Sequence, residues 1–344
     1  MIKISSLARK SFLITVLIVA MHPRLYATAQ SAVDIAPVCN RQYLEACRSL
    51  IDSAKKAVCI SHFYFKNDPT TRILRHALER AVNRGVSVRI LLEDSIAENA
   101  VAVRELSDIG AYAKLDTPST KLHTKLIVVD GSSCLLGSTN FSEYSIRSNN
   151  EVNILIKNSK IAKIYQDYFE RAWEDIPHDG IDETGQAPDE VKAVFDRDYF
   201  LEALSMIRNA KKKIAVILYM AHFTPNFYES RPNRLLRALA EAKRNGVDVR
   251  VMVEKSNHDP KLNEMNEPVT AYLRDHGVQT RFESPEITTH AKLLVCDDSV
   301  LLGSTNWVLS ALSHNREANI RIRKKDLTQN FRDYFEELWS KSGI

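Results

Sequence analysis

Short, nearly unbroken apolar runs recur along the chain, separated by segments in which apolar residues return at a helical period. The runs Ala57 to Tyr64, Val86 to Leu92, Lys213 to Tyr219 and Val247 to Val253 predict buried strands. Ser49 to Ala57 and Leu201 to Ala210 are expected to be helical, as are Arg72 to Arg84 and Arg234 to Asn245. The last two are followed by Gly85 and Gly246, placed as helix C-terminal stops. Strand–helix–strand order of this kind implies an α/β domain with a partly parallel sheet. Further on, Leu122 to Val129 and Cys134 to Ser138 flank a tight turn at Asp130-Gly131 and predict a hairpin. An alternating strand, Glu151 to Ile156, then precedes an amphipathic helix ending near Trp173, whose aromatics read as core.

The same pattern is written twice. Arg84-Gly85-Val86-Ser87-Val88-Arg89-Ile90-Leu91-Leu92-Glu93 returns as Asn245-Gly246-Val247-Asp248-Val249-Arg250-Val251-Met252-Val253-Glu254. His123-Thr124-Lys125 with Asp130 returns as His290-Ala291-Lys292 with Asp297, and Leu135 to Asn140 returns unchanged as Leu301 to Asn306. Asp167-Tyr168-Phe169-Glu170 and Trp173 return as Asp333-Tyr334-Phe335-Glu336 and Trp339. Order and spacing hold throughout, which makes this a duplicated domain. The expected division is a leader over 1–29, a first lobe over 30–176, an exposed acidic linker over 177–190 and a second lobe over 191–344. Phe223 to Pro232 and Asn257 to Pro268 are longer than their counterparts and are expected to be rim loops.

Composition changes the picture at the amino terminus. Lys3, Arg9 and Lys10 precede an apolar run from Ser11 to Met21, and Ala27-Thr28-Ala29 offers small residues for cleavage, the pattern of a signal peptide. An exported, periplasmic or secreted protein is therefore expected. Residues 1–29 hold four basic residues and no acidic ones, so the formal +4 of the whole chain falls to 43 basic against 43 acidic residues without them. A balanced chain has no global attraction to nucleic acid or anionic lipid, which leaves recognition to local features. The five cysteines cannot all pair and show no metal-site spacing. A Cys39–Cys47 disulfide is open to an exported protein, but the repeat aligns Cys47 with Leu204, Cys59 with Val216 and Cys296 with Val129, as buried small hydrophobes.

On a strand, His123 and Lys125 project from one face, and so do His290 and Lys292. Strands entering a core place apolar residues at such positions, and two copies break that rule in the same way, which marks a functional site. His62 and His222 fall at non-equivalent positions and read as packing or surface residues.

The motif His-x-Lys-x4-Asp followed by Gly-Ser-x-Asn, complete in both copies, resembles the phospholipase D superfamily. The resemblance covers residues 40 to 340, with Glu151 and Glu317 at the family's typical distance beyond Asn140 and Asn306. It implies two tandem α/β lobes, each a mixed sheet flanked by helices, related by a pseudo-twofold axis with a single active site at their interface. It further implies His123 as nucleophile and His290 as general acid and base, or the reverse, since the symmetric sequence does not decide. Lys125, Lys292, Asn140 and Asn306 would bind the phosphate, Ser138 and Ser304 would line the pocket, and Glu151 and Glu317 would orient the imidazoles. Asp130 and Asp297 belong to the motif and are grouped with the catalytic set, in a supporting role. No metal and no cofactor is expected. The expected activity is hydrolysis or exchange of a phospholipid phosphodiester, with transient contact at a membrane surface and a monomer as the active form. Cleavage of nucleic acid and non-catalytic binding of lipid or nucleic acid are the alternatives.

Overall fold

The computed structural model describes residues 34–177, 190–284 and 286–342. The expected leader and nearly all of the expected linker lie outside them.

Fourteen strands form two seven-stranded sheets among the described residues. The first contains β1 (Asp34–Cys39), β2 (Ala57–His62), β3 (Ser87–Leu92), β4 (Tyr112–Leu115), β5 (Lys125–Val129), β6 (Ser133–Gly137) and β7 (Val152–Lys157), in the order β1-β7-β6-β5-β2-β3-β4. The second contains β8 (Val191–Phe195), β9 (Lys213–Leu218), β10 (Asp248–Val253), β11 (Gln279–Phe282), β12 (Leu293–Cys296), β13 (Ser299–Gly303) and β14 (Ala318–Ile322). Its order is β11-β10-β9-β12-β13-β14-β8, the same topology. In each, three strands run parallel (β2, β3, β4 and β9, β10, β11) and the remaining pairings are antiparallel. The α/β fold with two matching mixed sheets is the one the repeat implied.

Helices α1 (Tyr43–Asp52), α2 (Pro69–Asn83) and α3 (Ala97–Asp108) pack on the outer face of the first sheet, and α4 (Ser159–Trp173) covers its inner face. The second sheet repeats this with α5 (Asp198–Asn209), α6 (Arg231–Arg244), α7 (Pro260–Asp275) and the short α8 (Leu309–Ser313) outside, and α9 (Lys325–Lys341) inside. Period-two alternation sends Val58, Ile60 and Ile127 to the outer core and Cys59, Leu126 and Val128 to the inner one. The inner core is shared. Leu126, Ile154, Tyr165 and Phe169 of the first half join Leu293, Ile320, Phe331 and Phe335 of the second in one buried cluster. Tyr165 on α4 donates to the Asn319 carbonyl (2.7 Å), and Tyr334 on α9 donates to Asn40 Oδ1 (3.0 Å), so each inner helix also bonds to the opposite half.

Several expectations need correction. Asn257 to Pro268 is mostly helix, because Asp259 caps α7 by accepting from the Leu262 amide (3.2 Å) and Pro260 fits the first helical turn. Phe223 to Ser230 does lie outside helix and strand, but α6 begins at Arg231. Helix α1 starts at Tyr43, six residues earlier than the apolar period suggested. The repeat register also shifts by one: Cys59 faces Val128 as Ala215 faces Val295, so Cys59 matches Ala215 rather than Val216, and Cys47 matches Ala203 rather than Leu204. All five cysteines are free thiols, so Cys39 and Cys47 are not bridged. Among the described residues no helix is long and apolar enough to cross a membrane.

Candidate active site

Strand β5 delivers Lys125 at its first residue, with His123 two positions before it, and Lys292 immediately precedes β12, with His290 two positions before it. The chain just before each strand pairs with the other half. The His123 amide donates to the Arg316 carbonyl (2.9 Å), and the His290 amide donates to the Asn150 carbonyl (2.9 Å). Arg316 and Asn150 each precede the glutamate of the opposite half, and this sets up a crossed arrangement. His123 Nδ1 lies 3.0 Å from both carboxylate oxygens of Glu317, and His290 Nδ1 lies 3.1 Å from both of Glu151. Each imidazole is therefore held by a carboxylate from the other copy.

Both glutamates are completely buried. Such a charge survives burial only when donors surround it. Glu151 accepts from Ser138 (2.5 Å), from Ser145 and from Asn149 (3.4 Å); Glu317 accepts from Ser304 (2.5 Å) and Asn315 (3.2 Å). Their backbone amides donate to Asn40 Oδ1 (2.8 Å) and Asp196 Oδ1 (2.7 Å), which in turn accept from Tyr334 and Tyr168 of the inner helices. The glycine before each serine is required by packing. A Cβ on Gly137 would meet the Val152 backbone and the Asn153 side chain, and Gly303 meets Ala318 and Asn319 likewise.

With Nδ1 engaged, each ring offers Nε2 for chemistry. Lys125 and Lys292 are 2% and 3% exposed and each donates to the carbonyl of its own histidine, at 2.8 Å and 2.6 Å. Burial pushes Lys125 down to about 7 despite the pull of Glu317 and Glu151, and it lowers Lys292 well below the ordinary lysine value. Two ammonium groups so deprived of water gain strongly from an arriving anion. Asn140 Oδ1 and Asn306 Oδ1 are buried without a hydrogen-bond partner, and either amide can turn its NH2 end to a phosphate oxygen.

Asp130 and Asp297 are not brought to this cluster. They sit past the opposite ends of β5 and β12, at φ 54° and 46°. Asp130 accepts from the amides of Lys55, Lys56 and Ala57 (2.7–2.9 Å), and Asp297 accepts from Lys211, Lys212 and Lys213 (2.7–3.0 Å). Burial raises both carboxyls, but the three amide donors outweigh it and hold them below the usual range. They anchor the chain entering the neighbouring strand.

Other residues at the site escaped the sequence reading. Phe63 and Tyr219 present ring edges to His123 and His290, at centroid distances of 4.9 and 4.5 Å, and lie against Lys125 and Lys292. Glu93 and Glu254 follow β3 and β10 and accept from the amides of Leu122 (2.5 Å) and Thr289 (2.7 Å), directly before the histidines. Their place at the end of a repeated segment was the available signal. Among the described residues Glu93, Asp94 and Asp116 form one acidic group close enough to share an ion. His62 stacks on Phe141 at 3.9 Å as a buried ring, and Leu218 stands at its place in the second sheet.

A family profile described as "Cardiolipin synthase, PLD-like domain" matches the chain twice, over residues 47–173 and 203–339. The chain belongs to this phospholipase D-like family. It is an enzyme of the phosphodiesterase type. Relatives include cardiolipin synthase B of Salmonella typhi, 26% identical over 331 residues that span 85% of this chain and 76% of that one. Phospholipase D Z of Dictyostelium discoideum is 24% identical and covers 86% and 84%. The crystal structure of phosphatidylserine synthase from Haemophilus influenzae Rd KW20 superposes over 91% of this chain and 87% of its own, with TM-score 0.71 and 14% identity, and so shares the fold.

Proposed function

We propose that the chain cleaves or exchanges the phosphodiester of a phospholipid through a covalent phosphohistidine, without a metal ion, as a protein exported by its leader. The observation that carries this is the crossed cluster: two imidazoles with fixed tautomers beside two buried lysines. The lipid character of the substrate rests on the relatives named above, cardiolipin synthase B and phospholipase D Z.

In the first step the Nε2 lone pair of one histidine attacks phosphorus, and the bond to the departing alcohol oxygen breaks. The other histidine, protonated, gives its Nε2 proton to that oxygen, so a neutral alcohol leaves. In the second step the now neutral histidine takes the proton of water or of an acceptor alcohol as that oxygen attacks phosphorus, and the phosphohistidine bond breaks. Lys125 and Lys292, with Asn140 and Asn306, hold the non-bridging oxygens as charge gathers on them, the task metal ions perform in other phosphodiesterases.

The test uses residues 30–344 in EDTA with mixed phospholipid vesicles, with and without glycerol as acceptor, and with single- and double-stranded nucleic acid separately. Release of headgroup, or transfer to glycerol, should fall at least about 10³-fold in His123→Ala. Cleavage of nucleic acid alone would replace the lipid reading. Turnover that appears only with a restored divalent ion would refute the metal-free mechanism.

A further inference from the structure

The halves of the site share one plan but differ in what surrounds each carboxylate. Residues 140–151 match 306–317 without a gap, which pairs Ser145 with Ala311. The Ser145 hydroxyl donates to Glu151 Oε1 and accepts from the Asn140 backbone N–H (2.9 Å), so it links the backbone of the phosphate-binding asparagine to the carboxylate that holds His290. Ala311 offers Glu317 nothing comparable. A second difference lies outside: Lys121 stands over the Phe63 ring (5.1 Å) beside His123, where the other half has the uncharged Thr288.

We propose that Ser145 is the positioning residue that makes the two histidines unequal, holding Glu151 anionic so that His290 keeps the proton it donates to the leaving group while His123 attacks. The roles rest on the phosphodiester mechanism above; the difference in charge state does not.

The local charges agree. His290 faces Glu151, Lys292, Lys125 and His123, with Tyr219 against its ring and Glu254 behind Lys292. Burial lowers it, as do Lys292 and Lys125, and Glu151 offsets part of this, so it is lowered less far than His123. His123 faces Glu317, Lys125, Lys292, His290 and Lys121, with His62 nearby, and there burial and four neighbouring cations act together to lower it. Burial likewise raises Glu151, yet His290, Lys292 and Ser138 bring it below the ordinary glutamate value, whereas Glu317 is pushed up to about 7. A neutral His123 has the free lone pair a nucleophile needs, and a protonated His290 has the proton an alkoxide needs.

The experiment is a titration of ¹⁵N-histidine-labelled full chain by NMR, for wild type, Ser145→Ala and Ala311→Ser. Wild-type His290 should lose its proton at higher pH than His123. Ser145→Ala should lower the His290 midpoint by about one pH unit and leave His123 in place, the effect of one hydrogen bond to a buried charge. Ala311→Ser, the reciprocal change, should raise the His123 midpoint. In turnover, the alkaline limb of kcat/KM should move to lower pH in Ser145→Ala, and peptide mapping after an alkaline quench, which preserves the P–N bond, should find the phosphoryl adduct on His123. An unmoved His290, equal shifts of both rings, or phosphate on His290 would overturn the proposal. A wild type that shows the NMR pattern but turns over no phospholipid would uphold the role of Ser145 and sink the substrate reading instead.

Discussion

At the scale of single residues the site turns on how a charge survives without water. Glu151 and Glu317 do so inside nests of hydroxyl, amide and imidazole donors, while Asp130 and Asp297 do so by accepting three backbone amides each. The two environments predict different phenotypes. Asp130→Ala should cost about 1.5–3 kcal/mol of stability, measured by urea unfolding, because three amides lose a charged acceptor. Its kcat/KM should stay within about twofold of wild type, since no reacting atom touches Asp130. The residues of the motif were legible because their types violate the strand pattern around them. The division of labour within the motif was not. Aspartate is suited equally to a proton relay and to a tight turn, and only the position past the end of β5, at positive φ, separates the two.

At the scale of elements, the parallel strands end in acid pairs. Glu254 and Glu283 follow β10 and β11, as Glu93 and Asp116 follow β3 and β4. Burial lifts Glu254, Glu283 and Asp116 to about 7, helped at Glu254 by the charge of Glu283 and at Asp116 by that of Glu93. Their folded values lie above the unfolded ones, so the stability they lend is complete below the unfolded value and is lost as pH rises through about 7. Glu283→Gln removes one such charge. Its melting temperature should match wild type near pH 5 and exceed it by about 1–2 °C at pH 8, read by calorimetry. Helices α2 and α6 and the central strands β2, β3, β9 and β10 were readable from period and glycine stops. The strands β1 and β8 were not, because their sides alternate only weakly and they pair with distant partners, β7 and β14. Helix α7 was hidden by Pro268 inside it, which reads locally as a break and is tolerated within the packed element.

At the scale of the whole molecule, the shared inner core and the crossed inner helices join the halves into one structure. Thermal unfolding should therefore be a single transition with equal calorimetric and van't Hoff enthalpies, and two resolved peaks would contradict a common core. The duplication announced two lobes and the family resemblance implied one site, but neither said that each histidine would take its carboxylate from the other copy. Sequence places Glu151 nearest His123, and only the interface, where Asn150 meets Thr289 and Arg316 meets Leu122, exchanges the partners. That exchange has a kinetic consequence. Two separate chains sharing such a site would find each other by collision, and their activity would fade on dilution. Here the second copy travels on the same polypeptide at an effective concentration in the millimolar range, about a million times above a nanomolar assay. Specific activity should stay constant from micromolar to nanomolar protein, as befits a pair of subunits that can never part.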